Sequence, residues 1–150
     1  MMPSKESKGP EPITGGCLCG SVRYTAMAAP KVHYCHCTMC RRATGSAFAV
    51  LSWVPTDKLL WVGETPTERR SSPIARRGFC NRCGTPLTLA YDGADEMALH
   101  AGTFDRPDAF APGYHYGVES RLAWADCGSA LPVERTREAW DQEHSPSAPT

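Results

Sequence analysis

Neither sign of charge is in excess in this 150-residue chain: sixteen basic and sixteen acidic residues cancel. That removes any global field drawing it to nucleic acid or to an anionic membrane, and leaves charged recognition to local groups. Long apolar runs are missing too, and none approaches the roughly 20 residues needed to cross a bilayer. The first dozen residues, MMPSKESKGPEP, hold no apolar stretch able to serve as a signal peptide, so the expected compartment is cytoplasmic. Uninterrupted helical segments are scarce as well, because 13 Gly and 13 Pro break almost every stretch that could have become one. No Ser-His-Asp arrangement, carboxylate pair or glycine-rich phosphate loop is evident.

What is present reads as one all-β domain with few or no helices. Residues 1–12 and 135–150 are polar and aperiodic, which makes them tails around a domain at 13–134, with Trp140 the one tail residue able to dock. Between them, SVRYTAM, KVHY, SAFAVLSWV, KLLWVG, TPLTLAY, MALHAGTF and YHYGVES are runs rich in β-branched and aromatic residues, bounded by turn signals. One helical turn is expected, at Thr38–Ala43, too short to stand alone.

Cysteine is the abundant exception, at eight residues. Seven fall into three clusters: Cys17-x-Cys19, Cys35-x-Cys37-x-x-Cys40 and Cys80-x-x-Cys83, with Cys127 apart. In a reducing compartment such thiols read as metal ligands before they read as disulfides. Residues at i and i+2 of a strand share a face, and a C-x-x-C turn gathers its two thiols, so each cluster can aim at one ion. If Cys17, Cys19, Cys80 and Cys83 converge they complete a closed structural zinc, and Cys35, Cys37 and Cys40 are left with an open fourth position. From spacing alone a second structural zinc, closed by Cys127 or a histidine, remains an alternative. His36 lies between two thiols, but in an extended segment its side chain points away from theirs.

The stretches Gly15-Gly16-Cys17-Leu18-Cys19-Gly20-Ser21-Val22-Arg23-Tyr24, Cys35-His36-Cys37-x-x-Cys40-Arg41-Arg42-x-Thr44-Gly45-Ser46-x-Phe48 and Arg77-x-Phe79-Cys80-x-x-Cys83-Gly84-Thr85-x-Leu87 closely resemble the glutathione-dependent formaldehyde-activating enzyme family, which includes centromere protein V. The likeness runs over about residues 13 to 133. It implies twisted antiparallel sheets of the zinc-stapled beta-tent kind and two zinc ions per chain. Cys17, Cys19, Cys80 and Cys83 would hold the structural ion, and Cys35, Cys37 and Cys40 the ion at the active site. The implied activity is that of a carbon–sulfur lyase joining glutathione to formaldehyde as S-hydroxymethylglutathione.

A zinc already bound by three thiolates is a weakened Lewis acid and exchanges sulfur ligands readily, which favours capture of a substrate thiol over activation of water. Glutathione's carboxylates call for guanidinium groups, and Arg41-Arg42 stand beside the open cluster. Arg69-Arg70 and Arg76-Arg77 flank a Ser71-Ser72-Pro73 turn and could face each other across a hairpin, read as a solvated strand face. Two other functions compete: a non-enzymatic zinc-stapled module that binds a protein, and an enzyme acting on a different thiol adduct or small electrophile. Neither nucleic acid nor membrane is an expected partner, and oligomeric state leaves no trace in the sequence.

Overall fold

Along Val22–Ala26 every second residue is apolar, and the structure buries Val22, Tyr24 and Ala26 on one face while Arg23 and Thr25 stay half-exposed. This period-two logic sets the architecture of the computed structural model, which describes residues 11–136. Ten strands form: β1 (Ile13–Gly16), β2 (Val22–Ala26), β3 (Lys31–Cys35), β4 (Ala49–Pro55), β5 (Leu59–Gly63), β6 (Thr67–Ser72), β7 (Ala75–Phe79), β8 (Pro86–Tyr91), β9 (Glu96–His100) and β10 (His115–Tyr116). A single α-helix, α1 (Thr38–Thr44), follows β3, and short 3-10 turns fill several connections.

The strands make two sheets, one in the order β1-β2-β5 and one in the order β10-β3-β4-β9-β8-β7-β6. All pairings are antiparallel except β10 with β3, where His115 pairs with Tyr34 and Tyr116 with Cys35. The all-β expectation holds, with that one parallel edge as its exception. The larger sheet uses both faces. Val54 and Leu99 pack against Ile13, Val22 and Tyr24 of the smaller sheet, whereas Leu51, Leu89 and Ala98 form a second cluster with Cys35 and Cys40. Alternation along β4 divides its side chains between the two, and so places the second cluster behind the crowded cysteines.

Three strands carry no clear apolar signature. β1 is ITGG, and its glycines are there for close approach: a Cβ at Gly15 would run into the Tyr24 hydroxyl and the Thr103 carbonyl. β6 and β7 form an arginine-rich edge hairpin in which Arg69 faces Arg77 and Arg70 faces Arg76. Ion pairs from Arg76 to Glu68 and from Arg70 to Asp92 brace its polar side chains, while Ala75 joins the second cluster. The YHYGVES run is a strand only at His115–Tyr116 and continues as a 3-10 turn at Val118–Ser120. Residues 1–10 and 137–150, with Trp140, lie outside the described residues. Among those described, no helix is long and apolar enough to cross a membrane.

Candidate metal centres and the cavity beside them

Cys17 follows directly on β1, and Cys80 follows directly on β7. Each opens a tight turn. Cys17 N–H donates to the Val22 carbonyl and Gly20 N–H to the Cys17 carbonyl; Cys80 N–H donates to Thr85 and Gly84 N–H returns to Cys80. Gly20 and Gly84 close these turns with φ of +80° and +79°, a conformation that a side chain would oppose. The two turns bring the sulfurs of Cys17, Cys19, Cys80 and Cys83 within 4.8 Å of one another. Cys17 to Cys19 is 3.6 Å and Cys19 to Cys80 is 3.8 Å. A tetrahedral zinc with Zn–S bonds near 2.3 Å needs sulfurs about 3.8 Å apart, so the donor set fits a metal ion. Because β1 belongs to one sheet and β7 to the other, these four thiols join the two sheets.

Hydrogen-bonding groups surround the sulfurs of this cluster. The Ser21 hydroxyl lies 3.1 Å from Cys19 Sγ and 3.3 Å from Cys80 Sγ, and the Val22 N–H donates to Cys17 Sγ at 3.3 Å. Burial raises the Cys83 thiol, but hydrogen bonds from the Thr85 hydroxyl and from backbone N–H groups outweigh it and bring the group down to about 6.

The second cluster is built from three kinds of local structure. Cys35 ends β3, Cys37 caps α1 with its sulfur accepting the Cys40 N–H at 3.3 Å, and Cys40 is buried on the helix itself. Gly45, at φ +67°, terminates α1 by returning its N–H to the Arg41 carbonyl. The three sulfurs lie within 4.8 Å of one another, with Cys35 to Cys37 at 3.5 Å, and no fourth Cys, His, Asp or Glu joins them among the described residues. Cys127 is exposed and donates to the Ala125 carbonyl, and His115 Nδ1 is engaged with His36 Nε2 at 2.9 Å. His36 therefore points away from the flanking thiols, toward β10.

Within this cluster the surroundings of Cys40 favour its thiolate. Its hydrogen bond with the Cys35 thiol, opposed by burial and aided by the Arg77 guanidinium, brings Cys40 down to about 5, while Cys35 is pushed up by the same pair and by burial. Arg77 Nη2 reaches Cys40 Sγ at 3.6 Å. The solvated-face expectation for the arginine hairpin thus holds at Arg70 and Arg76, which pair with surface carboxylates, and fails at Arg77. Alternation decides this: one position along β7 turns the side chain to the other face of the sheet. Arg41 donates to the Thr38 hydroxyl, and Arg42 is exposed on α1.

The three thiols open on a cavity of about 600 Å³. Its lining includes Trp53 and Tyr91, whose rings stack 6.0 Å apart, and His33 and Tyr114, stacked at 4.9 Å. Trp53 donates its indole N–H to His33 Nε2 at 2.9 Å, and the His33 Nδ1 side faces the Tyr34 carbonyl. Arg77 lines the cavity; Arg41 and Arg42 do not. None of the aromatic lining was singled out from the sequence. It comes from β3, β4, β8 and the segment around β10, and only the sheet order brings these together.

The sequence model of the family described as glutathione-dependent formaldehyde-activating enzyme matches residues 12–120. An uncharacterized lyase of Schizosaccharomyces pombe is 34% identical over 92 residues, 60% of this chain and 66% of that protein. The chain thus spans a little under two thirds of that relative's length. A crystal structure of a Rhodobacter sphaeroides protein superposes with a TM-score of 0.55 at 21% identity, over 67% of this chain and 98% of that one, a likeness of fold.

Proposed function

We propose a function for this chain from one premise, that it belongs to the glutathione-dependent formaldehyde-activating enzyme family. The chain is a zinc-dependent carbon–sulfur lyase that makes or breaks the adduct of a thiol, glutathione or another, with formaldehyde or a related small electrophile. The observation that carries this reading is the three-thiol cluster on the cavity, with no fourth protein ligand among the described residues. Cys17, Cys19, Cys80 and Cys83 would hold a structural zinc; Cys35, Cys37 and Cys40 would hold a second, reactive one. When bound there, zinc supplies a site for a fourth sulfur, held as thiolate.

The residues around that position divide the work. In the forward direction the thiol's S–H is lost and a C–S bond forms at the carbonyl carbon, while the carbonyl oxygen takes a proton; the reverse step returns thiol and aldehyde. Arg77, beside Cys40, offsets the negative charge gathered by three cysteines and an incoming thiolate. The stacked rings wall the cavity beside the reacting sulfur. Arg41 and Arg42 stay in the proposal as contacts for a substrate carboxylate lying outside the cavity.

Exchange spectroscopy at equilibrium tests this, since formaldehyde and glutathione combine without help. Zinc-loaded protein should raise the interconversion rate in proportion to its zinc content, and Cys37→Ser should abolish the gain. A protein that only sequesters the thiol lowers its free concentration and slows the net reaction. An unchanged exchange rate with fully zinc-loaded protein would remove the formaldehyde assignment.

A further inference from the structure

We propose that the cavity beside Cys35, Cys37 and Cys40 is specific for thiols with an aromatic body and a single carboxylate, and that Arg77 reads the carboxylate. This rests on the reading of that cluster as a thiol site and names the class of thiol.

Volume does not decide the matter, because about 600 Å³ accommodates a tripeptide as well as an aryl thiol. The chemistry of the walls does. Trp53 and Tyr91 stack with their planes 11° apart, and His33 and Tyr114 with theirs 12° apart, so paired aromatic rings make up much of the lining. Leu51, Ile74 and Leu89 add apolar surface. Among the lining residues Arg77 alone carries a permanent charge. Glutathione brings two carboxylates and an ammonium, of which this lining can pair one; the others must lie outside the cavity, toward Arg41 and Arg42, or lose their water without a partner. An aryl thiol with one carboxylate matches the count.

Arg77 has the donors for it. Nη2 is turned to Cys40 Sγ, while Nε and Nη1 are buried and have no hydrogen-bond partner among the described residues. Unmade hydrogen bonds on these covered donors are costly, and a turn of the half-buried Arg77 side chain toward the cavity lets a carboxylate satisfy them. One arginine would then orient the substrate by its acidic group with the substrate's sulfur held near the cysteines.

The test is calorimetric titration of zinc-loaded protein, without oxygen, with three probes: 4-(sulfanylmethyl)benzoate, phenylmethanethiol and glutathione. The benzoate should bind at least tenfold more tightly than glutathione. Tyr91→Ala removes a partly exposed stacking partner and should weaken the benzoate several-fold more than it weakens glutathione. Arg77→Gln should erase the preference of the benzoate over phenylmethanethiol. If that variant does not fold, the same ratio measured on the wild-type protein decides, and a ratio near one overturns the role of Arg77. Glutathione binding as tightly as the benzoate, with Tyr91→Ala neutral, overturns this specificity and leaves the thiol site standing. Failure of all three thiols to bind takes down the thiol site itself.

Discussion

At the scale of single residues, the three-cysteine cluster depends on a glycine that bears no chemistry. Gly117 has φ +70°, and a Cβ there would sit 2.9 Å from the Cys37 nitrogen and 3.2 Å from Cys37 Cβ. Gly93, in the β8–β9 turn, has nearly the same φ of +73° but nothing within 4 Å of its would-be Cβ. Alanine at either position meets the left-handed backbone penalty of about 1–2 kcal/mol. Only Gly117→Ala also pushes on Cys37. We expect it to lose more stability than Gly93→Ala in denaturant titrations, and to release one metal ion earlier to a competing chelator. Equal effects of the two would show that Cys37 yields freely.

At the scale of elements, the two cysteine clusters do different mechanical work. The four-thiol set ties the turn after β1 to the turn after β7, joining two sheets, whereas the three-thiol set ties β3 to the helix that follows it in sequence. A structural zinc in a small domain contributes on the order of 10 kcal/mol, comparable with the whole stability of such a domain. Cys80→Ser should therefore unfold the chain. Cys40→Ser should leave far-ultraviolet circular dichroism near that of wild type and remove thiol binding. Loss of fold from both substitutions would point to two structural sites.

For the molecule as a whole, acid should destabilise the fold through a histidine outside both clusters. His100 ends β9 and is buried; desolvation first, and the Arg77 charge second, hold it down to about 4. An unfolded histidine titrates near 6.5. The folded state thus binds its proton later, so this stability is fully present above about pH 6.5 and is lost as pH falls toward 4. Between pH 7.5 and 5 the loss amounts to about 2 kcal/mol. Urea titrations of wild type and His100→Asn at both pH values isolate it, because acid release of metal affects both proteins alike. A decline of the same size in the variant would assign the acid sensitivity elsewhere.

The sequence by itself determined how seven of the cysteines group and where most of the strands lie. Partition of seven cysteines into pairs and a triplet follows from local spacing, since i, i+2 and C-x-x-C geometry is set by the backbone. The same holds for the strands with period-two burial, such as β2, and for the helical turn that Cys37 and Cys40 fix. Only the tertiary structure decided which groups surround those thiols. β1 was illegible as a strand because glycine contacts, not apolar alternation, shape it, whereas the β6–β7 hairpin was legible from its paired arginines and only the face that Arg77 takes was not. Arg77 was hidden for a related reason: four arginines in two pairs look alike along the chain, and β7 alone turns one of them toward Cys40. The aromatic lining comes from residues as far apart as His33 and Tyr114. Their meeting depends on the parallel pairing of β10 with β3, a long-range contact with no local signal.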